Sequence, residues 1–179
     1  MLDVLKLLLK RYPDDVSLSS NDPEIREVAR ILKERSFSPF ARSVHVRMVD
    51  CGSPNDVELE QQMMMGPRVD AERFGVHFVA SPRHADVLLA TGPVSMNMKL
   101  ALEKTYNAMP EPKAVIAAGD GAISGTPYSG SYALFGKGTV EEVIPVDVKI
   151  SGNPPSPYEL LAGILKAGMI IEKKAKTQR

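Results

Sequence analysis

The sequence predicts an α/β fold built on a mostly parallel, doubly wound sheet with helices on both faces. Two observations carry this. The apolar runs at residues 87–91 and 114–118 are short and continuous rather than alternating, which marks strands buried on both faces. Such runs also interleave with segments of helical character, separated by Gly and Pro punctuation, as parallel sheets with crossover helices require.

Residues 1–12 can form a short amphipathic helix, either a partner-docking or membrane-surface element or a packed or frayed terminus. Residues 13–23, rich in Pro, Asp, Ser and Asn, read as a linker. Asn21 or Asp22 can cap a helix entered at Pro23, with Ile25, Val28, Ala29 and Leu32 on one face. Residues 36–43 form a loop broken by Pro39. Residues 44–49 are the first strand, 56–65 a helix, 76–80 the second strand and 87–91 the third. The helix over 95–109 shows Met98, Leu102 and Tyr106 at helical spacing and stops at Pro110 and Pro112. Residues 114–118 are the fourth strand. Residues 144–150 are the fifth, where Pro145 points to an edge or entry position. A last helix spans 157–171. The domain reading is therefore a helical extension and linker over 1–42, one α/β domain over 43–172, and a basic tail over 173–179.

Composition bounds the function. The 179 residues hold 44% hydrophobic and 25% charged residues, enough apolar matter for one cored domain. The 22 basic and 22 acidic residues cancel, so there is no basic footprint for nucleic acid. No apolar run reaches the roughly 18–20 residues of a membrane span, and the N-terminus lacks a signal-cleavage pattern. A single cysteine excludes an intrachain disulfide and fits a reducing compartment.

In a doubly wound sheet, sites form in loops beyond the C-terminal strand ends. That expectation gathers residues 50–57, 81–85, 92–95, 119–125 and 151–157 on one rim. The glycine-rich run 119–125 follows a strand and could cradle a phosphate. Its spacing is not that of a nucleotide fingerprint, however, and no Lys-Ser/Thr follows. The three histidines are scattered, so no metal-ligand spacing appears, and His45 and His77 lie in strand patterns.

The rim segments carry a family resemblance in order along the chain. They are Asp50-Cys51-Gly52-Ser53, Asn55 and Glu58-Leu59-Glu60; Pro67-Arg68-Val69-Asp70 and Arg73-Phe74-Gly75; Ala80-Ser81-Pro82-Arg83; Thr91-Gly92-Pro93; Met109-Pro110-Glu111-Pro112; Gly119-Asp120-Gly121-Ala122; and Gly152-Asn153-Pro154-Pro155. Over about residues 43–172 the chain resembles the small subunit of membrane-bound, energy-converting NiFe hydrogenases and the homologous 20 kDa subunit of respiratory complex I. The resemblance implies a flavodoxin-like domain bearing one 4Fe–4S cluster against a large catalytic or quinone-binding subunit. It places the four cluster-ligand cysteines on Pro54, Val57, Gly121 and Asn153. None is cysteine, and proline, valine, glycine and asparagine do not replace thiolates on iron. Cys51 stands three positions before the first ligand position, and two copies sharing it would still bring too few thiols.

The resemblance also marks Glu60, Arg68, Asp70, Arg73, Arg83 and His84 as interface or proton-relay candidates. Each has a plainer alternative: a solvated helix glutamate, a loop organised by Arg–carboxylate pairing, or a histidine bonded to nearby backbone. Met63-Met64-Met65 reads as partner surface or core. No catalytic residue and no metal site is assigned, and no cofactor is expected.

The expected function is a cluster-less small-subunit homologue. It would act as a structural or docking subunit of a hydrogenase-like or complex-I-like oxidoreductase complex, peripheral on the cytoplasmic side of the membrane. Its partners would be a large-subunit homologue and other complex subunits, and it would be an oxidoreductase component by membership. The alternative is a flavodoxin-like rim reused to bind a flavin, a nucleotide or another small ligand, motivated by residues 119–125.

Overall fold

A computed structural model describes residues 43–177. The expected helices at 1–12 and 23–35, and the linker between them, lie outside the described residues. The chain runs β1 (Val44–Asp50), α1 (Asp56–Met65), β2 (Val76–Phe78), β3 (Val87–Thr91), α2 (Met96–Ala108), β4 (Ala114–Ala118), α3 (Asp120–Ser124), β5 (Val148–Ile150) and α4 (Pro157–Thr177). Short 3₁₀ turns cover Ala71–Phe74, Pro82–His84 and Val140–Glu142.

The five strands form one sheet in the order β2-β1-β3-β4-β5, and every pairing is parallel. Together with the helices on both faces this is the flavodoxin-like α/β fold. Every residue of β3 and β4 is buried, as their unbroken apolar runs require in the centre of such a sheet. On the first face, Val57 and Met64 of α1 and Leu160, Leu161, Ile164 and Leu165 of α4 pack on Val46, Leu89 and Ile116. Full burial of each such leucine or isoleucine is worth about 1.5–3 kcal/mol. On the second face, Leu102 of α2, Ala122 of α3 and Val140 pack on Leu88, Ala90, Val115 and Ala117. Helix α2 starts at Ser95, whose hydroxyl accepts the Met98 N–H at 3.3 Å, and stops before Pro110. The spacing of Met98, Leu102 and Tyr106 does define its inner face.

Four boundaries differ from the sequence reading. Strand β2 ends at Phe78, not at residue 80, and β5 holds only Val148–Ile150. Pro145 has no N–H to give, and Asp147 reaches β4 outside the ladder, its N–H donating to the Val115 carbonyl at 2.9 Å. The last helix continues to Thr177, so residues 173–177 are helical rather than tail. Residues 120–124, read as glycine-rich loop, form the short helix α3.

Register fixes the two ends of the sheet. Asp50 pairs with Thr91, Thr91 with Ala118, and Ala118 with Ile150, so four strands end level on one rim. At the other end, here called the base, Phe78 and Val87 both pair with Val46. The chain therefore crosses the lower half of β1 on the second face as it passes from β2 to β3, with Val79 and Ala85 in the second core, Val79 N–H donating to the Val46 carbonyl and Asp86 N–H to that of His45.

Candidate functional site: a filled cleft on the rim

The loops beyond Asp50, Thr91, Ala118 and Ile150 meet in one cleft. Its lining includes Pro54, Val57, Gly121 and Asn153, the four residues that the resemblance puts at ligand positions, together with Asp56, Gly92, Pro93, Gly119 and Tyr128. Residues separated by up to 99 positions in sequence thus converge. The cleft's volume is only about 20 Å³, room for roughly one water.

Its walls explain that small volume. A Cβ built on Gly119 would lie 2.9 Å from Val57 Cγ2, so the valine occupies the floor beside the end of β4. A Cβ on Gly121 would lie 3.0 Å from Pro93 Cδ and 3.3 Å from its nitrogen, so a side chain there would need the proline to move. Among the described residues, no group of three His, Cys, Asp or Glu is arranged to hold a metal. Cys51 is fully buried, and its thiol lies 3.7 Å from the Val49 carbonyl. Burial, reinforced by the nearby Asp50 and Glu58 charges, pushes that thiol from 9.0 up to about 12, so it is a neutral thiol and a poor ligand. A 4Fe–4S cluster does not fit this donor set or this space.

Side chains hold the rim loops. Asp50 Oδ1 accepts the N–H groups of Gly52 at 2.8 Å and Ser53 at 2.7 Å. Glu58 is 6% exposed. Its Oε2 accepts the Ser53 hydroxyl at 2.7 Å, and its Oε1 is bonded by the hydroxyl of fully buried Thr91. Across the cleft, Asp120 Oδ1 accepts the Gly152 N–H at 3.0 Å, and Asp120 N–H donates to the Gly152 carbonyl at 2.9 Å. Glu58 thus ties the β1–α1 loop to β3, and Asp120 ties the β4 end to the β5 loop.

The other sequence candidates are dispersed. Glu60 is half-buried on α1 and outside the cleft, whereas Glu58 is the buried acid. Sequence reasoning missed Glu58 and Thr91, although Glu58 shares the buried face of α1 with Val57, Gln61 and Met64. Arg68, Asp70 and Arg73 lie between α1 and β2, and none lines the cleft. Among the described residues, the expected Arg–carboxylate pairing of that loop is not made. Arg73 instead lies 4.8 Å over the Phe74 ring, and Asp70 takes a left-handed backbone (φ 51°). Arg83 and His84 are exposed on the 3₁₀ turn of the connection that crosses β1. Their expected place on the rim is therefore incorrect: Val87, three residues on, sits four residues below Thr91, about 13 Å down the strand. Met64 is core, while Met63 and Met65 are exposed.

The fold and the convergence of these four positions define a small-subunit domain of the hydrogenase and complex I type. Residues 51–167 match the family model described as NADH ubiquinone oxidoreductase, 20 Kd subunit. The chain belongs to this family, with all four cluster-ligand cysteines replaced.

Two curated relatives and one solved structure place it further. It is 39% identical over 159 residues to the probable membrane-bound hydrogenase subunit mbhJ of Pyrococcus furiosus, covering 89% of this chain and 91% of that one. It is 39% identical over 143 residues to formate hydrogenlyase subunit 7 of Escherichia coli, covering 80% of this chain but spanning only 55% of that relative's length. A chain of the membrane-bound sulfane sulfur reductase, an archaeal respiratory membrane complex, superposes with a TM-score of 0.63 at 30% identity, covering 85% and 77% of the two chains. Among the described residues, no helix is long and apolar enough to cross a membrane.

Proposed function

We propose that this chain is a cluster-less structural and docking subunit of a hydrogenase-like or complex-I-like oxidoreductase complex at the membrane. The carrying observation is the cleft: the four ligand positions come together, yet they bear Pro, Val, Gly and Asn around space for about one water. A scaffold whose relay site is filled by Val57 and Pro93 while the family's fold remains is suited to offer a surface rather than to pass electrons. Its rim would face a large-subunit homologue, with exposed Pro54, Tyr128 and Asn153 at the contact. Membrane association would be peripheral and through partners, on the cytoplasmic side. Similarity to a probable membrane-bound hydrogenase subunit supports the membrane association.

The docking claim is tested by co-expression with a large-subunit homologue and size-exclusion chromatography. The wild-type chain should co-elute with it, and Asn153→Arg or Pro54→Arg should abolish co-elution while leaving the melting temperature unchanged. Co-elution of both arginine variants at wild-type yield would overturn the rim as the docking face.

Nothing in the rim geometry favours the alternative of a flavin or nucleotide site. The N–H groups of Gly119, Asp120, Ala122 and Ile123 already donate to backbone carbonyls of the protein, so the glycine-rich turn does not offer them to a phosphate. On this reading, flavin mononucleotide or ATP should leave the thermal midpoint unmoved.

A further inference from the structure

The rim cleft runs on into an apolar patch. Tyr128 lines the cleft, and the loop that follows it folds back along the start of α2. Three main-chain bonds pin that return. Met96 N–H donates to the Ala133 carbonyl at 2.9 Å, Phe135 N–H to the Val94 carbonyl at 2.9 Å, and Val94 N–H to the Gly138 carbonyl at 2.8 Å. The neck of the loop is closed at Gly125, where a Cβ would run into the Lys137 carbonyl. The Ala133 bond brings Tyr132 to the first turn of α2. There Tyr132 is 98% exposed, and Met96 and Leu100, one helical turn apart, are 58% and 57% exposed. Met98, Leu102 and Tyr106 form the inner side of α2, so Met96 and Leu100 lie on the side turned away from the sheet. An exposed tyrosine on a pinned backbone adds nothing to the core. It is suited to binding, because it offers a large ring with few torsions left to freeze.

Charge indicates what covers this patch. The rim segments 50–66, 91–98, 118–136 and 150–165 contain Asp50, Asp56, Glu58, Glu60, Asp120 and Glu159 but no Lys, Arg or His, although the whole chain balances 22 bases against 22 acids. Several of these acids hold loops or helix starts, as when Glu159 accepts the Ser156 N–H at 2.8 Å. That explains the acids and not the missing bases. Among the described residues, none of the six is in an ion pair. The first base along α2, Lys99, is drawn onto the Phe135 ring at 3.9 Å and pairs with Glu103. A face of one sign fits a surface of the opposite sign and repels an anionic membrane or an acidic protein.

We propose that Tyr132, Met96 and Leu100 are the anchor by which the rim holds its large-subunit homologue, and that the partner meets them with an apolar socket fringed by Lys and Arg. This rests on the reading of the rim as the docking face and adds the chemistry of the partner.

The test uses the full chain and a large-subunit homologue, with affinity and association rate read by biolayer interferometry. Tyr132→Ala should weaken binding about tenfold to a hundredfold, Leu100→Ala should weaken it less, and Tyr132→Phe should retain most of it. None should move the melting temperature, because these side chains are exposed. Raising salt from about 50 to about 500 mM should slow association about tenfold, and Glu60→Lys should slow it in the same direction. Wild-type affinity in Tyr132→Ala, with binding still lost in Asn153→Arg, would overturn the anchor and leave the rim as the docking face. Loss in Tyr132→Ala with full binding in Asn153→Arg would uphold the anchor and remove the cleft from the contact. An association rate indifferent to salt would overturn the basic partner.

Discussion

The rim and the base of this sheet are closed by different physics. At the base the fastening groups are charged. Lys113 Nζ donates to the Tyr106 carbonyl at 3.0 Å and pairs with Glu111 at 3.2 Å, while Lys174 Nζ donates to Asp147 at 2.7 Å and to the Lys113 carbonyl at 3.0 Å. Asp147 also accepts the Val115 N–H at 3.0 Å. At the rim, by contrast, the carboxylates of Asp50, Glu58 and Asp120 accept from loop N–H groups and hydroxyls, and side chains close on glycine backbone, Val57 against Gly119 and Pro93 against Gly121. The comparison teaches that the base is an ordinary solvated end of an α/β sheet. The rim leaves space for about one water between its loops.

Substitutions should separate the two ends by size of effect. The largest belongs to Gly92, at φ +66°, whose Cβ would fall inside the backbone of Ser53. Gly92→Ala should cost about 3 kcal/mol or more in urea unfolding, since left-handed strain adds to a clash with a backbone that has no room to retreat. An unchanged midpoint would show that the rim loops are looser than described. Next comes Glu58→Ala, which leaves the buried Thr91 hydroxyl only its long 3.4 Å bond to the Val49 carbonyl; about 1–3 kcal/mol should be lost. At the base, Lys174→Ala should cost about 1 kcal/mol, because its ion pair with Asp147 is partly solvated, and high salt should shrink the difference. A base substitution more damaging than Glu58→Ala would reverse the comparison.

Cys51 gives the most specific signal. Its folded pKa, about 12, lies above the ordinary 9.0, so the folded state keeps the proton when the unfolded chain has lost it. Stability from this group is fully present below pH 9 and falls as pH rises from about 9 to 12. Cys51→Ser should flatten that part of the stability profile. In the native wild type, a thiol reagent at pH 8 should leave Cys51 unmodified until the chain unfolds.

Much of this was legible before any coordinates. The unbroken apolar runs at Val87–Thr91 and Ala114–Ala118 forced two-sided burial, and that burial forced helices onto both faces. The convergence of Pro54, Val57, Gly121 and Asn153 was legible only through resemblance, since no periodicity joins residues so far apart. What sequence did not disclose was register and helix phase. Because Phe78 and Val87 meet Val46 at the same level, Arg83 and His84 drop to the base, a fact of pairing that composition does not carry. Glu58 was passed over for Glu60 because family likeness outweighed helix phase, yet Val57, Gln61 and Met64 already pointed Glu58 inward. The helix at Asp120–Ser124 was hidden by Gly121 and the flanking Gly119 and Gly125; the weak helix propensity of Gly121 is overridden by Ala122 packing into the second core.

The central claim is that no electron relay sits on this rim. The direct measurement is iron and acid-labile sulfide per chain after anaerobic purification, with the visible absorption spectrum recorded alongside. The account predicts iron and sulfide far below one per chain and no broad cluster absorption. Near-stoichiometric iron and sulfide with that absorption, in the chain alone or in its complex and assigned to it by density at the cleft, would contradict the account.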